Sequence, residues 1–308
     1  MVDIETMKCG LVALIGVPNA GKSTLMNALV GEKVGIISNK PNTTRVTVRG
    51  VLTEGDNQLI FMDTPGLNRS AKAFDRRLVQ QAQGAAAEAD ILLILCDVSA
   101  MRGKPADTVW SFEKQLVDAA KARKQKVVIA LTKIDVMKEK SKLLPTLTAL
   151  AEWGVDAVVP LSAMKDNGKN GGVSRLVAEL VKMLPKGPWL FPADQVTDMP
   201  VNFRLAELTR EQAMRLLHQE LPYGVGVVTE KVEEVEDGLL LVQQQLLVAK
   251  EQHRPMVLGA GGQMLKKIGT LARKEMQEVM GKGVRLELHV KVAERWLERE
   301  QWLREMGV

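Results

Sequence analysis

The sequence predicts a doubly wound α/β domain over residues 1–184, then a smaller α+β domain over 201–308, with 185–200 joining them. Three observations carry that reading. In the first part, short apolar runs alternate with amphipathic stretches, the order from which parallel sheets with helices on both faces are built. At Leu184–Pro200, "LPKGPWLFPADQVTDMP", four prolines and a glycine rule out a continuing helix and mark a linker. Beyond it the order changes to helix, two strands, helix, strand.

Taken in chain order, "LVALIG", "QLIFMD", "DILLILCDV", "KVVIALTKID" and "DAVVPLSA" are β-branched and apolar throughout. Such runs are strands buried on both faces, as in a parallel sheet. Thr108–Lys124 and Lys142–Glu152 have helical amphipathic spacing between them. In the second part, Asn202–His218 is helical, and "GVGVVTEKVEEV" and "LLLVQQQLLVAK" flank "EDG" as a hairpin. A glycine cluster, a helix at about Gln263–Met280, the strand "VRLELHVKV" and a final helix from Glu294 complete an αββααβ order.

The totals exclude several classes. The chain has 308 residues, 46% of them hydrophobic, ordinary for a globular protein of two domains. No apolar run approaches the roughly 18–20 residues that span a bilayer, and "MVDIETMKCG" has no signal-peptide core. The expected location is cytoplasmic. Cys9 and Cys96 fall in strand-like runs and the three histidines are scattered, so no zinc spacing exists and buried thiols are expected. The net charge is +5, but residues 1–184 carry +6 and 185–308 carry −1, so any nucleic-acid affinity of the second domain must come from local clustering.

The chemistry sits at the carboxyl ends of the apolar strands, where such sheets bind ligands. Gly16-Val17-Pro18-Asn19-Ala20-Gly21-Lys22-Ser23-Thr24 follows a strand and opens a helix. This is a phosphate-binding loop: glycines let backbone N–H groups close on phosphate oxygens, Lys22 adds a charge, and the Ser23 hydroxyl can ligate Mg2+. Asp63-Thr64-Pro65-Gly66 ends a second strand, with Asp63 placed to hold magnesium and the Gly66 N–H placed to meet a γ-phosphate. Thr132-Lys133-Ile134-Asp135 ends a third. The Asp135 carboxylate can accept from guanine N1–H and its 2-amino group, whereas adenine would leave it unpaired. Ser162-Ala163 can bring a backbone N–H to the guanine O6. The set describes a GTP site; an ATPase would require Asp135 to be irrelevant to base choice.

These residues resemble the first, third, fourth and fifth motifs of the Ras-like GTPase superfamily. Thr132 stands where the superfamily usually has asparagine. The resemblance implies a switch within Gly31–Arg45 whose threonine ligates Mg2+ in the triphosphate state; Thr44 is the first choice and Thr43 the alternative. Ser23, Thr44 and Asp63 are then the metal set, and Lys22, Thr44, Gly66 and Asn19 the catalytic one. Leu67 stands where relatives commonly carry a water-orienting glutamine, so unaided hydrolysis is expected to be slow. Asn19 resembles the asparagine through which GTPases with such a hydrophobic substitution recruit K+.

The second glycine cluster, "VLGAGGQMLKKIG", has no Lys-Ser/Thr and no dinucleotide spacing. Gly259-Ala260-Gly261-Gly262 between two helical segments resembles the G-x-x-G loop of a type II KH domain, which clamps single-stranded RNA. Lys266, Lys267, Arg273 and Lys274 share one helix face, opposite a core stripe of Leu265, Ile268, Ala272, Met276 and Val279. The five acids of Glu230–Asp237 conceal that face from a net-charge count. An inert turn in a packed domain is the other reading.

A P-loop GTPase domain followed by a KH domain is similar to the bacterial Era GTPases over essentially the whole chain. That likeness rests also on "NTTR", "LPYGVGV" and "KKIGTLARKEMQE". It implies a monomer that binds 16S rRNA near its 3′ end and the 30S subunit, not DNA. It uses GTP with Mg2+, with peripheral inner-membrane association in some members. Trp296, Leu297, Trp302, Leu303 and Met306 form an apolar set in the last helix whose balanced charges favour core packing over membrane insertion. The alternative function is a signalling or membrane-associated GTPase whose second domain binds protein.

Overall fold

The computed structural model describes residues 6–40, 43–65, 84–101, 105–139, 141, 143–165, 171–294 and 296. It divides into two units: Met1–Gly35 with Thr44–Asp198, and Ile36–Thr43 with Met199–Val308.

The first unit is a six-stranded sheet with helices. Its strands are β1 (Lys8–Ile15), β2 (Val48–Glu54), β3 (Asn57–Asp63), β4 (Ile91–Asp97), β5 (Lys126–Thr132) and β6 (Ala157–Pro160), in the order β2-β3-β1-β4-β5-β6. β1 pairs in parallel with β3 and β4, β4 with β5, and β5 with β6. The five apolar runs became these five parallel strands because both faces of each are covered. The chain order diverges on either side of β1, so a crevice opens at its carboxyl end, where the phosphate loop begins. Helix α1 (Lys22–Val30) starts from left-handed Gly21 (φ 97°) and stops at left-handed Gly31 (φ 80°), two positions that suit glycine.

Two details differ from the sequence reading. The sheet is mixed: β2 runs antiparallel to β3, with Val48 opposite Asp63 and Glu54 opposite Asn57. Arg49, Gly50 and Thr53 hid this edge strand from a search for apolar runs, although "EGDN" with Gly55 at φ 56° is a hairpin signal. The stretch 108–124 is also two helices, α2 (Ala106–Val109) and α3 (Ser111–Ala122), broken at Trp110, whose ring fills the core. The helices α4 (Leu143–Ala151) and α5 (Gly172–Met183) belong to the same unit, as do the helical residues 84–88.

Most of the segment expected to be a linker packs on this unit. The Gln58 side chain accepts from the N–H groups of Leu190 and Phe191 (2.9 and 3.0 Å) and donates to the Phe191 carbonyl (2.8 Å). Trp189 and Phe191 cover Cys9, Val51 and Ile60, and Val51 N–H donates to the Val196 carbonyl. The chain therefore passes between units at Asp198 and Met199.

The second unit contains α6 (Val201–Leu216), β7 (Val225–Glu234), β8 (Leu240–Val248), α7 (His253–Leu258), α8 (Gln263–Met280) and β9 (Val284–Val292). β7 and β8 form the expected hairpin, turning through left-handed Asp237 (φ 64°), and β9 adds parallel to β8. Leu205 and Leu208 of α6 meet Ala272 and Met276 of α8 over Val242, while Ala213 and Ile268 do so over Leu246. Inside the unit, Thr209 Oγ1 donates to Gln244 Oε1 (2.6 Å), and Gln244 Nε2 donates to Thr229 Oγ1 (2.9 Å), satisfying a polar residue on an otherwise apolar face. Trp296 is buried against Leu247 and Ala293 and donates to the Gly224 carbonyl (3.1 Å), so it belongs to the core. Leu297, Trp302, Leu303 and Met306 lie outside the described residues. Among the described residues no helix is long and apolar enough to cross a membrane.

Candidate nucleotide and RNA sites

The phosphate loop is shaped by two backbone requirements. A Cβ at Gly16 would stand 3.1 Å from the Leu95 carbonyl oxygen, and Asn19 and Gly21 adopt φ 64° and 97°. Asparagine is among the few side chains that accept the left-handed region readily. Ala20 N–H donates to the Val17 carbonyl, closing the turn around Pro18. Lys22 is buried and donates to the carbonyls of Gly16 (3.0 Å) and Val17 (3.1 Å), along the inner wall of the loop. Burial holds its pKa below the usual lysine value, opposed by the charges of Asp63 and Glu113. Thr24 is half-buried on α1.

Ser23, Asp63 and Thr44 converge. Ser23 Oγ donates to Asp63 Oδ2 at 2.5 Å and lies 3.2 Å from Thr44 Oγ1. Asp63 is fully buried at the end of β3, and burial raises its pKa against the opposing effects of Lys22, Ser23 and Thr44. Its Oδ1 is buried with no hydrogen-bond partner among the described residues. One carboxylate and two hydroxyls with an unsatisfied buried anionic oxygen form a hard-oxygen set suited to Mg2+. Thr43, the alternative, points elsewhere: its hydroxyl donates to the Lys40 carbonyl (2.7 Å), and it belongs to the other unit. Thr64 and Pro65 are buried, with Thr64 Oγ1 tied to the Leu14 carbonyl (2.8 Å) on β1. Gly66 and Leu67 lie outside the described residues.

The two segments expected to meet the base are tied to the same loop. Thr132 Oγ1 donates to the Ala20 carbonyl at 3.0 Å, with the Cys96 carbonyl at 3.4 Å. Threonine in the place of asparagine thus still reaches the phosphate loop. Lys133, left-handed at φ 60°, donates to the Asn19 carbonyl (2.7 Å) and to Asp97 Oδ2 (2.6 Å). Ile134 is buried under the turn that presents Asp135. A hydrogen bond from Ser162 is the main cause that holds the Asp135 carboxyl below the usual aspartate range, with Lys165 at 3.7 Å adding to it. Ser162 and Ala163 follow β6, one buried and one half-buried.

Sequence reasoning missed two contributors. Asn27 of α1 donates to the Gly35 carbonyl (2.7 Å) and accepts from the N–H groups of Val34 and Gly35 (2.9 and 2.8 Å), clasping the start of the switch segment. Glu113 of α3 is buried, and its charge acts on Lys22. An acid on the buried stripe of an amphipathic helix was the available signal.

In the second unit, the glycine loop joins α7 to α8. Gly259, Gly261 and Gly262 have φ 71°, 57° and 76°, and a Cβ at Gly259 would lie 2.8 Å from Met264 Cβ. Only glycine fits that position. Ala260 is exposed, and Ile268, Ala272 and Met276 are buried while Leu265 and Val279 are partly so. Lys266, Lys267, Arg273 and Lys274 are all exposed and, among the described residues, none is in an ion pair.

Comparison with known proteins gives the same two parts. The family "50S ribosome-binding GTPase" matches residues 11–133, and the family "KH domain" matches 220–297. The chain is similar to the GTPase Era of Nitratidesulfovibrio vulgaris, 42% identical over 98% of this chain and 97% of that protein. It is 43% identical to that of Dinoroseobacter shibae over 98% and 95% of the two chains. Among solved structures it resembles a variant of Aquifex aeolicus Era bound to GDP and AlF4− (35% identity, TM-score 0.85, 98% of this chain and 99% of that one). It resembles equally an Era in complex with MgGDPNP and nucleotides 1506–1542 of 16S ribosomal RNA (35%, TM-score 0.85, 98% and 99%).

Proposed function

The chain belongs to the family of Era GTPases, and from that premise we propose that it is a GTP-hydrolysing switch that binds 16S rRNA near its 3′ end and assists 30S assembly and rRNA maturation. One observation carries the RNA half of this reading. Four exposed cations on α8, in no ion pair among the described residues, stand beside a loop with three positive-φ glycines. Ala260 and Gly261 bring no charge, so the loop would hold the RNA backbone through its N–H groups while α8 supplies the field.

The nucleotide half follows from the first unit. The loop Gly16–Thr24 would take the phosphates, Lys22 facing the β- and γ-phosphates once drawn from the Gly16 and Val17 carbonyls. Asp135, kept ionised by Ser162, would select guanine. Ser23, Thr44 and Asp63 would hold Mg2+, which offsets phosphate charge when bound. Thr44 and Gly66 would sense the γ-phosphate. With Leu67 unable to orient water, hydrolysis is slow unaided, and Asn19 is the residue toward which K+ would be recruited.

The test is binding of the full chain to a short single-stranded copy of the 16S 3′ end, with GDP and with a non-hydrolysable GTP analogue, at two salt concentrations. Binding that is tighter with the analogue and falls steeply with salt is expected. Replacing Lys266 and Lys267 by alanine should flatten the slope of log K against log salt by roughly 0.7 for each phosphate no longer neutralised. Salt-insensitive binding, or none by the folded protein, would return the second glycine loop to a turn.

A further inference from the structure

Three neighbouring strands of the first unit end at the candidate nucleotide site. β4 lies between β1 and β5 in the sheet, and its last residue, Asp97, stands opposite Thr132 of β5. The residues on either side of it have unusual backbones. Asn19, in the loop after β1, and Lys133, directly after β5, have φ 64° and 60°. Residues other than glycine hold that left-handed conformation only where their surroundings impose it. One side chain joins the two. Lys133 Nζ donates to the Asn19 carbonyl (2.7 Å) and to Asp97 Oδ2 (2.6 Å).

Asp97 is the fixed member of this bridge. Its side chain is 13% exposed, against 38% for Lys133. Its other oxygen, Oδ1, accepts from the Ser99 N–H (2.8 Å) and caps the short helical turn Val98–Ala100. The carboxylate is therefore held at both oxygens at the end of a central strand. An ammonium on a flexible four-carbon stem has no preferred direction of its own, and an anchored anion supplies one. Resting on the GTP reading above, we infer that Asp97 is a positioning residue for nucleotide: acting through Lys133, it locks the phosphate loop to the segment that presents Asp135. Side chains held by a second layer of bonds give up less freedom when a ligand engages them. The effect falls on how long nucleotide stays, not on which base is chosen, because the Asp135 carboxylate is not a member of the bridge.

The experiment uses the full chain loaded with fluorescent GDP and chased with unlabelled GDP at fixed Mg2+. Asp97→Asn keeps the shape, but its single amide oxygen cannot serve both Ser99 and Lys133. It is expected to speed GDP release by about tenfold, the lower end for a charge-assisted hydrogen bond because Lys133 is partly exposed. ATP should compete no better than with the wild type. In a Lys133→Ala background Asp97→Asn should add nothing, a non-additivity that a merely structural residue would not show. An unchanged release rate, or a full further increase in the double variant, overturns the inference. Should Asp97→Asn not fold, Asp97→Glu decides, since it keeps the charge but sets it one methylene further out. Release a few-fold faster with Lys133 present and unaltered in the Lys133→Ala background is expected, and equal effects in both backgrounds count against the idea. Wild-type protein that takes up no GDP would instead sink the GTP reading itself.

Discussion

Thr132→Val removes one oxygen from the middle of the candidate nucleotide site and keeps the shape. The Thr132 side chain is 3% exposed, and its hydroxyl donates to the Ala20 carbonyl at 3.0 Å. Valine leaves that carbonyl facing a methyl group in a buried place. A buried group stripped of its partner costs about 1–3 kcal/mol, and for a domain of this size each kcal/mol moves the melting temperature by about 2–4 °C. The transition of the first unit should therefore fall by several degrees while that of the second stays in place. GDP affinity should weaken as well, because Ala20 sits in the loop proposed to take the phosphates, yet ATP should compete no better, since Asp135 is untouched. Calorimetry and nucleotide competition on the same preparations measure all three. An unchanged melting temperature with unchanged GDP affinity would show that the hydroxyl does not tie β5 to the loop. Improved ATP competition would show that Thr132, rather than Asp135, governs the base.

Two further outcomes test the site chemistry. Ser162→Ala removes the largest cause of the depressed Asp135 pKa. A depressed carboxylate contributes above its unfolded pKa and is lost as pH falls through the folded one, so the variant should lose GDP affinity at a higher pH than the wild type as the solution is made acid; coincident profiles would contradict this. Gly259→Ala forces a Cβ to 2.8 Å from Met264 Cβ at φ 71°, a strain of about 1–3 kcal/mol, and should lower the second unit's melting temperature and its RNA affinity together. RNA affinity retained at full strength would mean that the loop does not touch RNA.

Much of this protein is written locally. Parallel strands were legible because a strand buried on both faces cannot hide its composition, and α8 because its apolar stripe and basic face share one 3.6-residue period. The phosphate loop was legible because its positive-φ turns demand glycine or asparagine at fixed spacings. Where chemistry depends on residues far apart, the pattern falls silent. The edge strand β2 mixes arginine, glycine, threonine and glutamate with three apolar residues and takes its identity from pairing with β3. Tertiary structure put Thr44 rather than Thr43 beside Ser23, because only the folded chain fixes which of two neighbouring hydroxyls faces in. It joined Thr132 to Ala20 across 112 residues, and Arg210 to Thr43 across 167. Motifs follow from the backbone conformations they require, one loop at a time. Which side chains meet across the fold follows from packing, which no local window contains.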